Sequence, residues 1–350
     1  MLDKVRLGFI GSGFITRRHL DEGLKDFEDV EFVGWCDLNK ETAAARREQV
    51  GGAGEIYTDA RKMLDEAKPD AVYIMLPPFA HGEAEALVIE RKLPFFIEKP
   101  VAIDMDTAKT VAEGVKKNNL ITSVGYEWRY RRSPRRVREL LQNQKAVFLH
   151  GGWVWAGPNN YEGSMKWWVR KDKSGGQFLE QTTHMTDMAR YLFGDVTRVY
   201  AVSVKGRGER PDFYTIEDAS MVQLTFANGA AGNIYSSCCT SQSGEGAVLM
   251  FGGGGVVGLH VWGTEMSAEL PFIVQSVNTK IYLADEKVEE IPEKDVFTLF
   301  ALENRAFIDS VKAGKNIGIL ATYDDGVKAL AIACAANKSM ETGEVVELEV

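Results

Sequence analysis

The first 124 residues alternate between short apolar runs and helix-length amphipathic stretches, and nothing else in the chain constrains the fold as tightly. Val5–Ile10, Val30–Cys36, Ala71–Leu76, Phe95–Ile97 and Leu120–Val124 read as buried strands. Helix patterns fall between them at residues 40–49, 59–67, 80–91 and 104–117. Strands alternating with helices of this length build βαβ units and a parallel sheet. The expectation is a doubly wound, Rossmann-type α/β domain over residues 1–124.

Two of its turns carry chemistry. Strand Val5–Ile10 runs into Gly11-Ser12-Gly13-Phe14-Ile15-Thr16. Gly11 permits the tight turn, and Gly13 lets the backbone approach a pyrophosphate at the start of the next helix. Thr16 stands where a third glycine or alanine often sits. Asp37 ends the second strand, placed to accept from ribose hydroxyls and to repel a 2′-phosphate, which favours NAD. Asn39 and Lys40 follow closely and leave NADP open. The other turn is Glu98-Lys99-Pro100, on which the strand Phe95–Ile97 ends abruptly. Open parallel sheets bind ligands outside the carboxyl ends of their strands. Pro100 disfavours helical geometry at Lys99, which holds the amine on extended chain. Outside such a frame, a Glu-Lys pair is a solvated loop.

A chain of 350 residues is expected to form two domains. Its 45% hydrophobic and 26% charged content is that of a globular protein, and the net charge of -9 offers nothing to neutralise a nucleic-acid backbone. Cys36, Cys238, Cys239 and Cys334 lack metal-type spacing and read as reduced thiols. With no membrane-length apolar run and no leader before the first strand, the expected location is the cytoplasm.

The pattern changes after Gly125. Arg129, Arg131, Arg132, Arg135, Arg136 and Arg138 crowd one segment, as on a solvated helix face. Alternating strands follow at residues 146–150, 199–204, 220–226, 230–236, 247–251, 256–262 and 280–283, with Asn228-Gly229 as a hairpin turn and Gly252 to Gly255 as a glycine turn. They imply a second, α+β domain over residues 125–350, built on a large, mostly antiparallel open sheet. One helix interrupts it, Gln177–Phe193, opened by Gly175-Gly176 and closed by Gly194. Glu180, His184 and Asp187 share a face at helical spacing, and flanking carboxylates would raise the basicity of the histidine. The alternative is a surface ion pair. No second histidine stands at ligand spacing, which argues against a metal. Two further helices, at 302–313 and 323–340, end the chain.

At this point the chain resembles the glucose-fructose oxidoreductase / inositol dehydrogenase (Gfo/Idh/MocA) family over nearly its whole length. The likeness rests on Gly11-Ser12-Gly13 with His19, Leu76-Pro77-Pro78-Phe79-Ala80-His81, Glu98-Lys99-Pro100, Gly125-Tyr126 with Arg129-Tyr130, Gly175-Gly176 through His184 and Asp187, and Asp324-Asp325-Gly326 with Ser339 and Gly343. The chain departs from the family in having Glu180 where aspartate is usual, Thr182 where glycine is common, and Trp128-Arg129 where many relatives have two arginines. These departures mark a distinct branch.

The resemblance implies a nicotinamide-dependent oxidoreductase moving hydride between NAD(P) and a secondary hydroxyl or ketone of a sugar, sugar derivative or cyclitol. It implies cofactor binding by Gly11, Gly13, Phe14, Ile15, Asp37, Leu76, Pro77, His81, Glu98 and Lys99. Lys99 and His184 would be the catalytic pair, with Glu180 holding the imidazole. Lys99, Arg129, Trp153, Trp168 and His184 would contact substrate, with Trp155 and Trp167 as further stacking faces. The open sheet face is a candidate surface for a homodimer or homotetramer. Two alternatives stay open: an NAD-dependent glycosidase in which hydride leaves and returns, and a non-catalytic dinucleotide-binding regulator.

Overall fold

The structure, a computed structural model, describes residues 3–154, 166–206, 210–238, 256–272, 278–292 and 299–349. Trp155, Cys239, the strand expected at 247–251 and the glycine turn at 252–255 lie outside the described residues. The chain divides into two compact units, Met1–Glu127 with Phe297–Val327, and Trp128–Val296 with Lys328–Val350. This differs from a single cut between residues 124 and 125. Phe307, Ile308, Val311 and Ile319 return late in the chain to complete the core around Val5, Phe9, Trp35 and Phe96, so the first unit is discontinuous.

The first unit is built on β1 (Val5–Ile10), β2 (Val30–Cys36), β3 (Glu55–Tyr57), β4 (Ala71–Ile74), β5 (Phe95–Ile97) and β6 (Thr122–Val124). All pairs are parallel, in the order β3-β2-β1-β4-β5-β6. The order reverses between β1 and β4, which makes that point the ligand crevice of a doubly wound sheet. β3 is a short edge strand, only partly buried, so it lacks the apolar run that marks the others. Helices α1 (Phe14–Asp21), α2 (Lys40–Gln49), α3 (Ala60–Ala67), α4 (Glu83–Glu90) and α5 (Met105–Asn118) connect the strands. Asn39, Asp59 and Asp104 cap α2, α3 and α5 through side-chain oxygens that accept from first-turn N–H groups.

One face of this sheet carries a row of aromatic rings, with Phe9 stacked on Trp35 at 4.5 Å and on Tyr73 at 5.0 Å, and Tyr73 on Phe96 at 5.0 Å. Such pairs contribute about 0.5–1.5 kcal/mol each beyond the area they bury. The register aligns Cys36 with Ile10, Ile10 with Ile74, Ile74 with Ile97 and Ile97 with Val124. Asp37, Gly11, Met75, Glu98 and Gly125 therefore leave the sheet along one edge.

The second unit holds β7 (Ala146–Val154), β8 (Val196–Val204), β9 (Ala219–Phe226), β10 (Ala231–Ser237), β11 (Val256–Gly263), β12 (Met266–Pro271), β13 (Thr279–Leu283), β14 (Val288–Ile291) and β15 (Val346–Glu347). Their order is β14-β13-β12-β11-β7-β10-β9-β8-β15. Only β7–β10 is parallel among these pairs, so the sheet is mostly antiparallel. Asn228-Gly229 turns β9 into β10, with Gly229 at φ +86°. Tyr200, Val202, Val204 and Met221 alternate with buried neighbours and leave one sheet face open. Helices α6 (Arg132–Leu141), α7 (Lys171–Ser174), α8 (Gln177–Glu180) and α9 (Thr183–Phe193) complete the part that bears on the site. No helix among the described residues is long and apolar enough to cross a membrane.

Candidate active site

The nucleotide edge of the first unit begins at Gly11. Its φ is +92°, and a Cβ there would lie 2.3 Å from the Met75 carbonyl oxygen, so the turn requires glycine. Thr16 Oγ1 donates to the Gly11 carbonyl at 2.9 Å and locks the same turn, which explains a threonine at the third motif position. Gly13 is the N-cap of α1, no side chain caps that helix, and nothing lies within 4 Å of where its Cβ would be. A helix start left open in this way is an anion site in waiting. Phe14 is 66% exposed beside it, and Ile15 is half-buried.

Asp37 closes the other side of the turn. Its Oδ2 accepts from the Ser12 N–H at 2.8 Å and its Oδ1 from the Asn39 N–H at 2.9 Å. A carboxylate offers about four lone-pair positions, so two backbone donors leave room for a ribose diol. Leu38 follows, 95% exposed, next to this carboxylate, with no sequence motif to single it out. Ser12 is buried, and its Oγ has no partner among the described residues. The open helix start, the partly used carboxylate and the unpaired hydroxyl all fit a dinucleotide, with pyrophosphate at Gly11–Ile15 and ribose at Asp37.

Leu76 and Pro77 follow β4 half-buried, and Pro77 leads into the short turn Pro78–Ala80. His81 differs from the expectation of a cofactor contact. Its side chain is fully buried, and Nδ1 lies 2.6 Å from Glu85 Oε1. Glu85 Oε2 also accepts from the Gly82 N–H, so the pair fixes the start of α4.

Glu98 is likewise buried. Its Oε1 lies 2.9 Å from His19 Nε2, its Oε2 accepts from the Lys99 N–H at 3.1 Å, and His19 Nδ1 lies 3.0 Å from Asn304 Oδ1. Gly125 makes room for this carboxylate, since a Cβ there would sit 2.7 Å from Glu98 Oε1. The carboxyls of Glu127 and Glu303 join the group. Desolvation, then the nearby Glu98 charge, pushes Glu127 up to about 8. Burial foremost, then the Glu127 and Glu98 charges, holds Glu303 well above its ordinary value of 4.5. Carboxyls crowded in this way oppose one another's ionisation, which favours the neutral forms of Glu127 and Glu303. Glu98 thus fixes the turn that carries Lys99, and the lysine's own charge lowers Glu127 slightly against that trend.

In the second unit the helix expected at 177–193 is two helices. The Gln177 carbonyl accepts from both Gln181 and Thr182, and the ladder restarts from the Thr182 carbonyl, which accepts from Met185 and Thr186. Glu180 ends α8 and His184 lies in the first turn of α9, so the two do not belong to one continuous helix. Glu180 Oε2 accepts from Trp168 Nε1 at 2.6 Å. Asp187 is claimed by Arg129, whose Nε and Nη2 donate to its two carboxylate oxygens at 2.9 and 2.6 Å. Both residues are buried, so this arginine clamps α9 where a substrate fork was expected. Trp168 is also buried, packed with Val169, Ile216 and Cys238, and presents no open stacking face.

His184 is 8% exposed and sits among aromatic rings. Trp128 lies 4.7 Å from it, centroid to centroid, and Trp153 lies 5.8 Å away. Trp128 in turn stacks on Trp153 at 5.4 Å and on Phe272 at 4.5 Å. Sequence reasoning expected Trp153 near this site but did not select Trp128 or Phe272. The signal for Trp128 was its departure from the arginine common in relatives; Phe272 had none. Among the described residues no group of His, Cys, Asp and Glu could hold a metal ion.

Residues 5–126 match the oxidoreductase family with an NAD-binding Rossmann fold, GFO/IDH/MocA, and residues 135–269 match the GFO/IDH/MocA C-terminal domain. The chain is 26% identical to myo-inositol 2-dehydrogenase of Thermotoga maritima over 357 residues, 99% of each protein. It is 27% identical to the NAD(+)-dependent scyllo-inositol 2-dehydrogenase of Bacillus subtilis over 362 residues, covering 100% of this chain and 98% of that one. The fold superimposes on levoglucosan dehydrogenase in complex with NADH with a TM-score of 0.84, at 21% identity and covering 99% of both chains. With both of its domains matched, the chain belongs to the GFO/IDH/MocA family of NAD-binding oxidoreductases.

Proposed function

We propose that this protein is an NAD-dependent dehydrogenase acting on a secondary hydroxyl, or the corresponding ketone, of a sugar, sugar derivative or cyclitol. The observation that carries the reading is the similarity to two inositol dehydrogenases across essentially the whole of each chain, nucleotide unit and histidine-bearing unit alike. Bound along the edge from Asp37 to Glu98, NAD supplies the hydride acceptor. His184 takes the hydroxyl proton as the carbon becomes a carbonyl, and returns it in the reverse direction. Lys99, on the turn fixed by Glu98, stabilises the negative charge that develops on the substrate oxygen. Glu180, fixed by Trp168, adds negative potential at the entry to α9, which favours the charged imidazole. Trp153 is left partly exposed, and it supplies a stacking face for a sugar ring.

The test is the absorbance of reduced nicotinamide, followed against aldoses, polyols, cyclitols and keto-sugars with NAD and NADP. Net reduction with one class of polyhydroxy substrate, faster with NAD, is the expected result. Cleavage of a glycoside with no net change in nicotinamide would replace this reading with the hydride-returning glycosidase. NADH binding without any turnover would replace it with the regulator.

A further inference from the structure

We propose that Trp128 is a positioning residue for His184: its indole face stacks on the imidazole, fixes the plane of that ring and favours its protonated form. The proposal deepens the reading above, since it rests on His184 as the proton carrier, but it concerns a side chain that reading does not use. The centroids are 4.7 Å apart and the rings are inclined by 34°, a tilted face contact. Trp128 is 4% exposed and cannot swing away, because Phe272 stacks on it at 4.5 Å and 6° and Trp153 at 5.4 Å and 15°. An imidazolium over an indole face is attracted by the ring quadrupole as any cation is, and more strongly where water is excluded.

Charged groups lie on the elements packed around the histidine, each with a partner of its own. Asp187 is bound to Arg129, Glu180 to Trp168, Arg190 to Asp195, and Arg138 lies over the Tyr191 ring. Burial alone would favour the neutral imidazole. The aromatic face opposes that bias while keeping the ring dry. A proton carrier that must gain and lose its proton in each turnover benefits from such a balance.

The experiment is a titration of His184 by NMR in the full chain, labelled at its histidines and saturated with NADH, with His184→Ala assigning the signal. Trp128→Leu keeps the apolar bulk and removes the π face, whereas Trp128→Phe keeps a smaller face. In Trp128→Leu the titration midpoint is expected to fall by about one pH unit, the size of a partly desolvated cation–π contact, with Trp128→Phe in between. The pH limb of kcat/KM should move the same way. An unchanged midpoint in Trp128→Leu, or a Trp128→Phe enzyme indistinguishable from Trp128→Leu, would overturn the proposal. If the midpoint moves and the pH limb of kcat/KM does not, the stacking role stands and the assignment of His184 as proton carrier fails. Should the leucine variant not fold, the phenylalanine variant alone decides, because a midpoint equal to the wild type would show that the indole face exerts no pull.

Discussion

Two buried histidines, one in each unit, sit among different neighbours. His19 is fixed through its nitrogens, between Glu98 and Asn304, with Phe96 and Phe300 meeting its ring edge to face. His184 is fixed through its faces, against Trp128 and Trp153. Hydrogen bonds at both nitrogens tie an imidazole into the architecture. An aromatic face sets the plane of the ring through its face alone. The same side chain thus serves as a strut in one unit and as a candidate proton carrier in the other, and the pattern of neighbours separates the two roles better than burial does.

Substitution of both histidines puts this contrast at risk. His184→Ala is expected to lower kcat/KM by about 10²–10⁴-fold, the usual range for a general acid–base group, while NADH binding followed by fluorescence is retained. His19→Ala should instead destabilise the protein by about 3–5 kcal/mol in denaturant unfolding, because it strands a buried carboxylate. A His19→Ala protein of unchanged stability but lost activity would erase the distinction. Gly125→Ala sharpens it: the added methyl group intrudes on the Glu98 carboxylate and should cost about 1–3 kcal/mol without altering the His184 titration.

The smallest effect concerns Glu303. Its carboxyl titrates above its ordinary value of 4.5, so between these two points the folded state holds a proton that the unfolded chain has lost. Stability is therefore complete at acid pH and declines as pH rises through that window. Glu303→Gln should remove the decline, with no difference from wild type near pH 4 and a gain on the order of 1 kcal/mol at neutral pH. Unfolding curves collected across pH check this, and parallel curves would refute it.

The nucleotide turn was legible in the sequence because it is local. Gly11 and Gly13 act through backbone geometry a few residues wide, and the βαβ period announces the sheet that carries them and the strand that ends at Asp37. The partners of side chains far apart in sequence were not legible. Arg129 is an arginine of ordinary appearance until Asp187, 58 positions later, takes its guanidinium. Trp168 is one of two adjacent tryptophans, and nothing local shows that its N–H belongs to Glu180. The helix break at Gln181 and Thr182 is hidden for another reason. The apolar spacing of Gln177–Phe193 suits one continuous helix, and a shift of a single hydrogen bond leaves no mark on composition. The segment returning to the first unit is similarly silent, since an amphipathic helix does not say which core it will join.

That return also sets a clock. The side chains that meet at His19 are separated by 285 positions, and a ribosome adding about 5–20 residues per second makes Asn304 roughly 15 to 60 seconds after His19. Throughout that interval the nascent nucleotide unit lacks Phe307, Ile308 and Val311, and the surface they will cover, from Val5 to Phe96, stays open. The unit that begins the chain is thus among the last parts of it to close, and while it waits, its aromatic sheet is an apolar surface that a chaperone would cover.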